Sequence, residues 1–135
     1  EALRATVRSG GNLFGEPACV MMRRQVLEDC GLWNDRAYYI DVASYARVLT
    51  RGDFVAVPES LAAFRVSASQ WSVRLMREQA AQAAEFHREA QALAPSTITS
   101  GDVRLGDVRA RVLAVQRRLA YIALGKRMHP TGTGA

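Results

Sequence analysis

Asp41 stands where a helical pattern opens, and a carboxylate at that place can do one of two jobs. It can accept the amide hydrogen bonds of the first helical turn, or it can take the proton of an attacking hydroxyl as a general base. Gly15 and Pro17 make a turn around Glu16, which on its own reads as a solvated acid. Trp33, Tyr38 and Tyr39 belong to an aromatic and acidic loop. Such rings fill a core or stack on the C–H face of a sugar ring; Trp33 reads as core, and the tyrosines leave both uses open. His87 has no His or Cys at ligand spacing and reads as a helix-surface residue, while His129 falls in the tail. Cys19 and Cys30 are too few, and too far from a His pair, for a zinc site, so two buried thiols in a reducing cytosol are expected. The sequence contains no Asp-x-Asp and no Gly-rich phosphate loop.

These residues need elements to position them. Leu3 and Val7 share one face of a helix that Gly10 and Gly11 break. Ala18 to Arg23 reads as a buried strand, its short apolar run bounded by Pro17 and two arginines. Arg24 to Cys30 is a short helix, with Gly31 placed for a left-handed cap. Val42, Tyr45, Ala46 and Leu49 follow helical spacing up to Gly52. Phe54 to Val57 and Leu61 to Val66 are strand candidates on either side of the Pro58-Glu59-Ser60 turn. A long helix from Ser72 to Ala94 carries an alanine-rich stripe, and Pro95-Ser96 breaks it. A last helix restarts at Ser100 or Asp102, and Val108, Val112, Val115, Leu119 and Ile122 recur along it with a strict 4-3-4-3 spacing before Gly125. That is a heptad seam, though about two heptads is short for a coiled coil.

The order of pieces from Asn12 to Arg65 is the informative part. It runs through Asn12-Leu13-Phe14-Gly15-Glu16-Pro17, the apolar run closed by Arg23 and Arg24, the helix ending at Gly31 and the aromatic loop. Asp41, Arg51-Gly52-Asp53, Pro58-Glu59 and Leu61-Ala62-Ala63-Phe64-Arg65 complete it. This order resembles the acceptor-side half of the family 2 glycosyltransferases, GT-A fold enzymes that move a sugar from a nucleotide donor. The resemblance covers roughly half of the chain. It implies a mixed α/β fold of about three short strands with short helices, followed by two longer C-terminal helices. The implied division is 1–71 as the C-terminal half of a GT-A domain, 72–127 as a helical tail and 128–135 as a disordered tail.

The resemblance also assigns roles. Asp41 is the expected catalytic base of an inverting transfer, although Ile40 precedes it where the family usually carries another acid. Asn12, Glu16, Tyr38 and Tyr39 are expected to bind the acceptor, and Arg65 the donor phosphate. Arg47 matches a helix arginine of the family, read as a structural ion-pair partner. Ser67 stands where the family often has a histidine that helps hold metal or diphosphate, so no metal ligand is expected from this chain. A divalent metal, Mg or Mn, and the nucleotide-sugar donor would belong to the complete enzyme, of which this chain reads as a fragment inactive alone. The alternative is a non-catalytic helical module that dimerises.

Composition narrows the partners. Hydrophobic residues at 49% and charged residues at 23% describe an ordinary globular chain, and no apolar run approaches the ~20 residues of a spanning helix. No signal peptide is read at the N-terminus. Residues 1–100 balance eleven arginines against eleven acids, so the whole net charge of +5 sits in the last segment. Its basic helix reads as a solvated face, a membrane-surface or lipid-headgroup contact, or a nucleic-acid or protein contact. A homodimer through 108–122 and a cytoplasmic location, peripheral at the inner membrane face, complete the expectations.

Overall fold

The computed structural model describes residues 1–33, 35, 38–63 and 78–128. Arg65, Ser67, Trp71 and the tail from His129 lie outside these residues, as do the first turns of the helix expected from Ser72. The described residues form five helices: α1 (Ala2–Ser9), α2 (Arg24–Asp29), α3 (Ile40–Val48), α4 (Gln79–Leu93) and α5 (Ser100–Met128). Short 3-10 turns occupy Pro17–Cys19 and Leu49–Arg51.

No strand occurs among the described residues, so the α/β expectation is corrected to an all-helical one. A strand is stabilised by the ladder it shares with a neighbour, and an apolar run alone does not supply one. At Ala18 and Cys19 the backbone instead tightens into a turn, with Cys19 N–H bonded to Glu16 O and Val20 N–H to Pro17 O. Val20 is extended, at φ −117° and ψ 129°, but Met21 beyond it is 98% exposed. Val55 and Val57 also face solvent, and 61–63 form no regular element. The remainder of the 61–66 candidate lies outside the described residues.

The core forms where α5 packs along α4 and across α1, with α3 set against α4. Val7, Phe86, Ala83, Ala90, Ile98 and Val103 are buried there, and one apolar cluster joins residues on both sides of position 71. Burying a side chain such as Phe86 contributes about 3 kcal/mol. The crossing of α1 with α5 is made by small residues. A Cβ on Gly106 would stand 2.2 Å from Val7 O, and one on Gly10 would stand 2.5 Å from Ala110 N. Gly10 also has φ 70°, a left-handed C-cap that ends α1 as its sequence predicts.

His87 corrects another expectation. It is 1% exposed, and its Nδ1 pairs with Asp107 Oδ1 at 2.7 Å. Trp33, read as core, is 46% exposed. The two cysteines, expected to be buried, are an exposed Cys19 and a partly exposed Cys30, both free. Arg47 reaches Leu32 O at 3.2 Å, a carbonyl rather than an ion-pair partner. Gly125 does not end the last helix, which continues to Met128.

The start of α5 is fixed by a capping box. Thr99 N–H donates to Asp102 Oδ2 at 2.9 Å, and Asp102 N–H donates back to Thr99 Oγ1 at 3.2 Å. Arg4 Nε (2.9 Å) and Arg8 Nη1 (2.5 Å) from α1 converge on the same carboxylate. The Thr99 amide and the two guanidiniums hold the Asp102 carboxyl far below its ordinary value of 3.8. Its contribution to stability is therefore present above pH 3.8 and is lost as pH falls towards the depressed folded value. Asp102→Asn is expected to lower the melting temperature at neutral pH, with the gap from the parent narrowing as pH drops below 3.8. Calorimetric melting across that range checks it, and a gap that stays constant with pH would contradict it.

Candidate functional site

The candidate site forms where the loop after α1 meets the head of α3. Asn12 organises the loop. Its Oδ1 accepts from Phe14 N–H at 2.9 Å and from Gly15 N–H at 3.2 Å, and its Nδ2 donates to Gly15 O at 2.9 Å. Gly15 takes φ 97°, a conformation open to glycine. The same Asn12 Nδ2 also reaches Asp41 Oδ2 at 3.2 Å, tying the loop to α3 across 29 positions of sequence.

Asp41 lies in the first turn of α3 and is 8% exposed. Its Oδ1 accepts from Val42 N–H at 2.8 Å, satisfying one amide of the first turn, while the N-cap position itself is Tyr39. Burial pushes its pKa up from the ordinary carboxylate value, the bond from Val42 pulls it down, and the negative charge of Glu16 adds to the rise. Burial wins. Glu16 itself is exposed at the edge of the site.

The two tyrosines divide between the roles sequence left open. Tyr39 is 5% exposed, stacks on Phe86 at 5.5 Å and donates its hydroxyl to Gly10 O at 3.4 Å, so it is a core residue whose pKa burial lifts to about 12. Tyr38 is half-buried, its backbone N–H bonded to Gln82 Oε1 at 2.6 Å and its hydroxyl accepting from Arg117 Nη1. Burial raises the Tyr38 pKa, the Arg117 charge opposes the rise, and Asp41 and Glu16 contribute to it, which sets Tyr38 in the field of both carboxylates. Tyr45, one turn on from Asp41, feels the same pair and is lifted by burial to about 12.

On the far side of Tyr45 lies a cavity of 470 Å³ lined by Phe14, Met22, Val26, Leu49 and Phe54 among others. Arg65 lies outside the described residues. Among the described residues no three of His, Cys, Asp and Glu come together as metal ligands would, and Asp41 and Glu16 are two carboxylates only. No helix among them is long and apolar enough to cross a membrane.

Sequence reasoning missed Gln82 and Arg117, which hold Tyr38 from α4 and α5. Neither carries a local signal, because what places them is the packing of distant helices. Comparison with protein-family models, curated proteins and solved structures finds no match.

Proposed function

We propose that this chain carries the acceptor side of an inverting glycosyltransferase, with Asp41 as the base. The observation that supports it most is the 3.2 Å bond from Asn12 to a buried Asp41 carboxylate of raised pKa, set in the field of Glu16. A raised pKa makes the ionised group a stronger base, which suits removal of a hydroxyl proton. Asn12 fixes one carboxylate oxygen and Val42 N–H engages the other. Asp41 takes the acceptor proton as the oxygen attacks the anomeric carbon, and the nucleotide leaves with the electrons of the broken bond. Tyr38 and Glu16 border the acceptor. Donor binding, with its divalent metal, is assigned to residues beyond this sequence, since no Asp-x-Asp or phosphate loop is present. The free thiols Cys19 and Cys30 agree with a cytoplasmic setting.

Calorimetry tests the division of labour. The 135-residue chain is expected to bind no common nucleotide sugar tightly, whereas the full-length protein should turn one over. Micromolar binding by the chain alone would place a donor site within it and overturn this account. A second reading, a helical interaction module, is favoured by the exposed seam on α5.

A further inference from the structure

The outward face of α5 departs from the rest of the surface. Val108, Val112, Val115, Leu119 and Ile122 are 50% to 63% exposed, on the side of the helix away from buried Gly106 and Ala110. At 3.6 residues per turn the five fall within about 80° of arc. A stripe that narrow is the seam of a paired helix, whereas a helix lying in a lipid surface presents a broader apolar face with Trp, Phe and Leu.

The flanks select among partners. Exposed Arg104, Arg111 and Arg118 run along one edge at seven-residue intervals, and Arg109 with Gln116 lies along the other. No acid occurs from Val108 to Ile122. A second copy packed antiparallel would set the Arg111 and Arg118 row against its own counterpart. Packed parallel, it would bring Arg104 against Arg109. Such a pair would have only this short seam, five side chains from each copy, to set against the repulsion of its like-charged edges. Residues 64–77 of the same chain carry Arg65, Arg74 and Arg77 with no acid, and offer the seam no better match.

We infer that the 108–122 face docks an amphipathic helix of another protein whose flanking positions are acidic. Leu, Ile or Val of that helix would fill the seam, and its Glu or Asp would pair with Arg104, Arg111 and Arg118 on one edge and Arg109 on the other, adding charge-assisted bonds to a modest apolar contact.

The test uses the whole chain and a labelled synthetic helix of three heptads, with Leu at the core positions and Glu at the flanks. Anisotropy should show saturable binding that weakens with added salt and is at least about tenfold tighter than for the same helix flanked by Lys. The double change Val112→Glu with Leu119→Glu should weaken binding by more than about tenfold and leave the circular dichroism unchanged, because both side chains are exposed. Absence of binding, or equal binding of the Lys-flanked helix, overturns the proposal. A chain that sediments as a dimer through this face overturns it in favour of a second copy. Adsorption to phosphatidylglycerol vesicles that the same double change abolishes overturns it in favour of a lipid surface.

Discussion

On the proposed role as base, Asp41→Asn in the full-length protein is expected to fold normally and to lose turnover by about 10²–10⁴-fold. The observed bond to the helix and the proposed role as base separate cleanly under this change. The side-chain oxygen of asparagine accepts as that of aspartate does, so the bond from Val42 N–H survives. The other oxygen, which receives Asn12 Nδ2, becomes an amide that cannot accept, a local loss of about 1 kcal/mol. Burial offsets part of it. Because the folded Asp41 pKa is raised, its ionisation weakens the fold as pH climbs above the ordinary value of 3.8, and the neutral amide removes that penalty. The melting temperature at pH 7 should therefore stay within a few degrees of the parent's. The acid limb of the parent's pH–rate profile should also sit above the ordinary carboxylate range. Activity above roughly a third of the parent's would show Asp41 to be only structural, and the search for the base would move to Glu16.

Where one stretch of chain carries its own signal, the fold was legible. Leu3 and Val7 mark the buried face of α1, Val42, Tyr45 and Ala46 that of α3, and Gly31 the left-handed stop after α2, at φ 85°. The loop at Asn12 and the head of α3 at Asp41 could be nominated for the same reason, though not the 3.2 Å bond that joins them. What was not legible depends on partners. Ala18 to Met22 has the composition of a buried strand, yet no strand among the described residues lies beside it. His87 looks like a surface residue in its own helix because Asp107, which pairs with it, comes from the next one. The seam on α5 shows the reverse. Its spacing announced a packed face, while its 50% to 63% exposure follows from α1 and α4 occupying the opposite side.

Gly106 is the residue that sequence gave least reason to notice, and its substitution is expected to damage the fold most. Helix propensity alone favours Gly106→Ala by about 1 kcal/mol, since it lies inside α5. Space decides the other way. The new Cβ would lie 2.2 Å from Val7 O and 3.0 Å from His87 Cε1. The first is backbone, and Val7 O also receives the Gly10 N–H that closes α1. Neither helix can yield without losing that cap or the matching approach of Gly10 to Ala110 at the same crossing. Gly106→Ala should cost about 3 kcal/mol net and lower the melting temperature by about 10 °C. Gly106→Leu should leave little folded protein, because total stability is only about 5–15 kcal/mol. Gly101→Ala in the same helix is the control. Its nearest neighbour, Thr99 Oγ1, would be 3.6 Å away, an ordinary contact, so propensity should prevail with a gain of up to about 1 kcal/mol. Thermal melting of the two alanine variants side by side reads the opposite signs. Equal effects would mean that the α1–α5 crossing can open to admit a Cβ that would otherwise stand 2.2 Å from Val7 O.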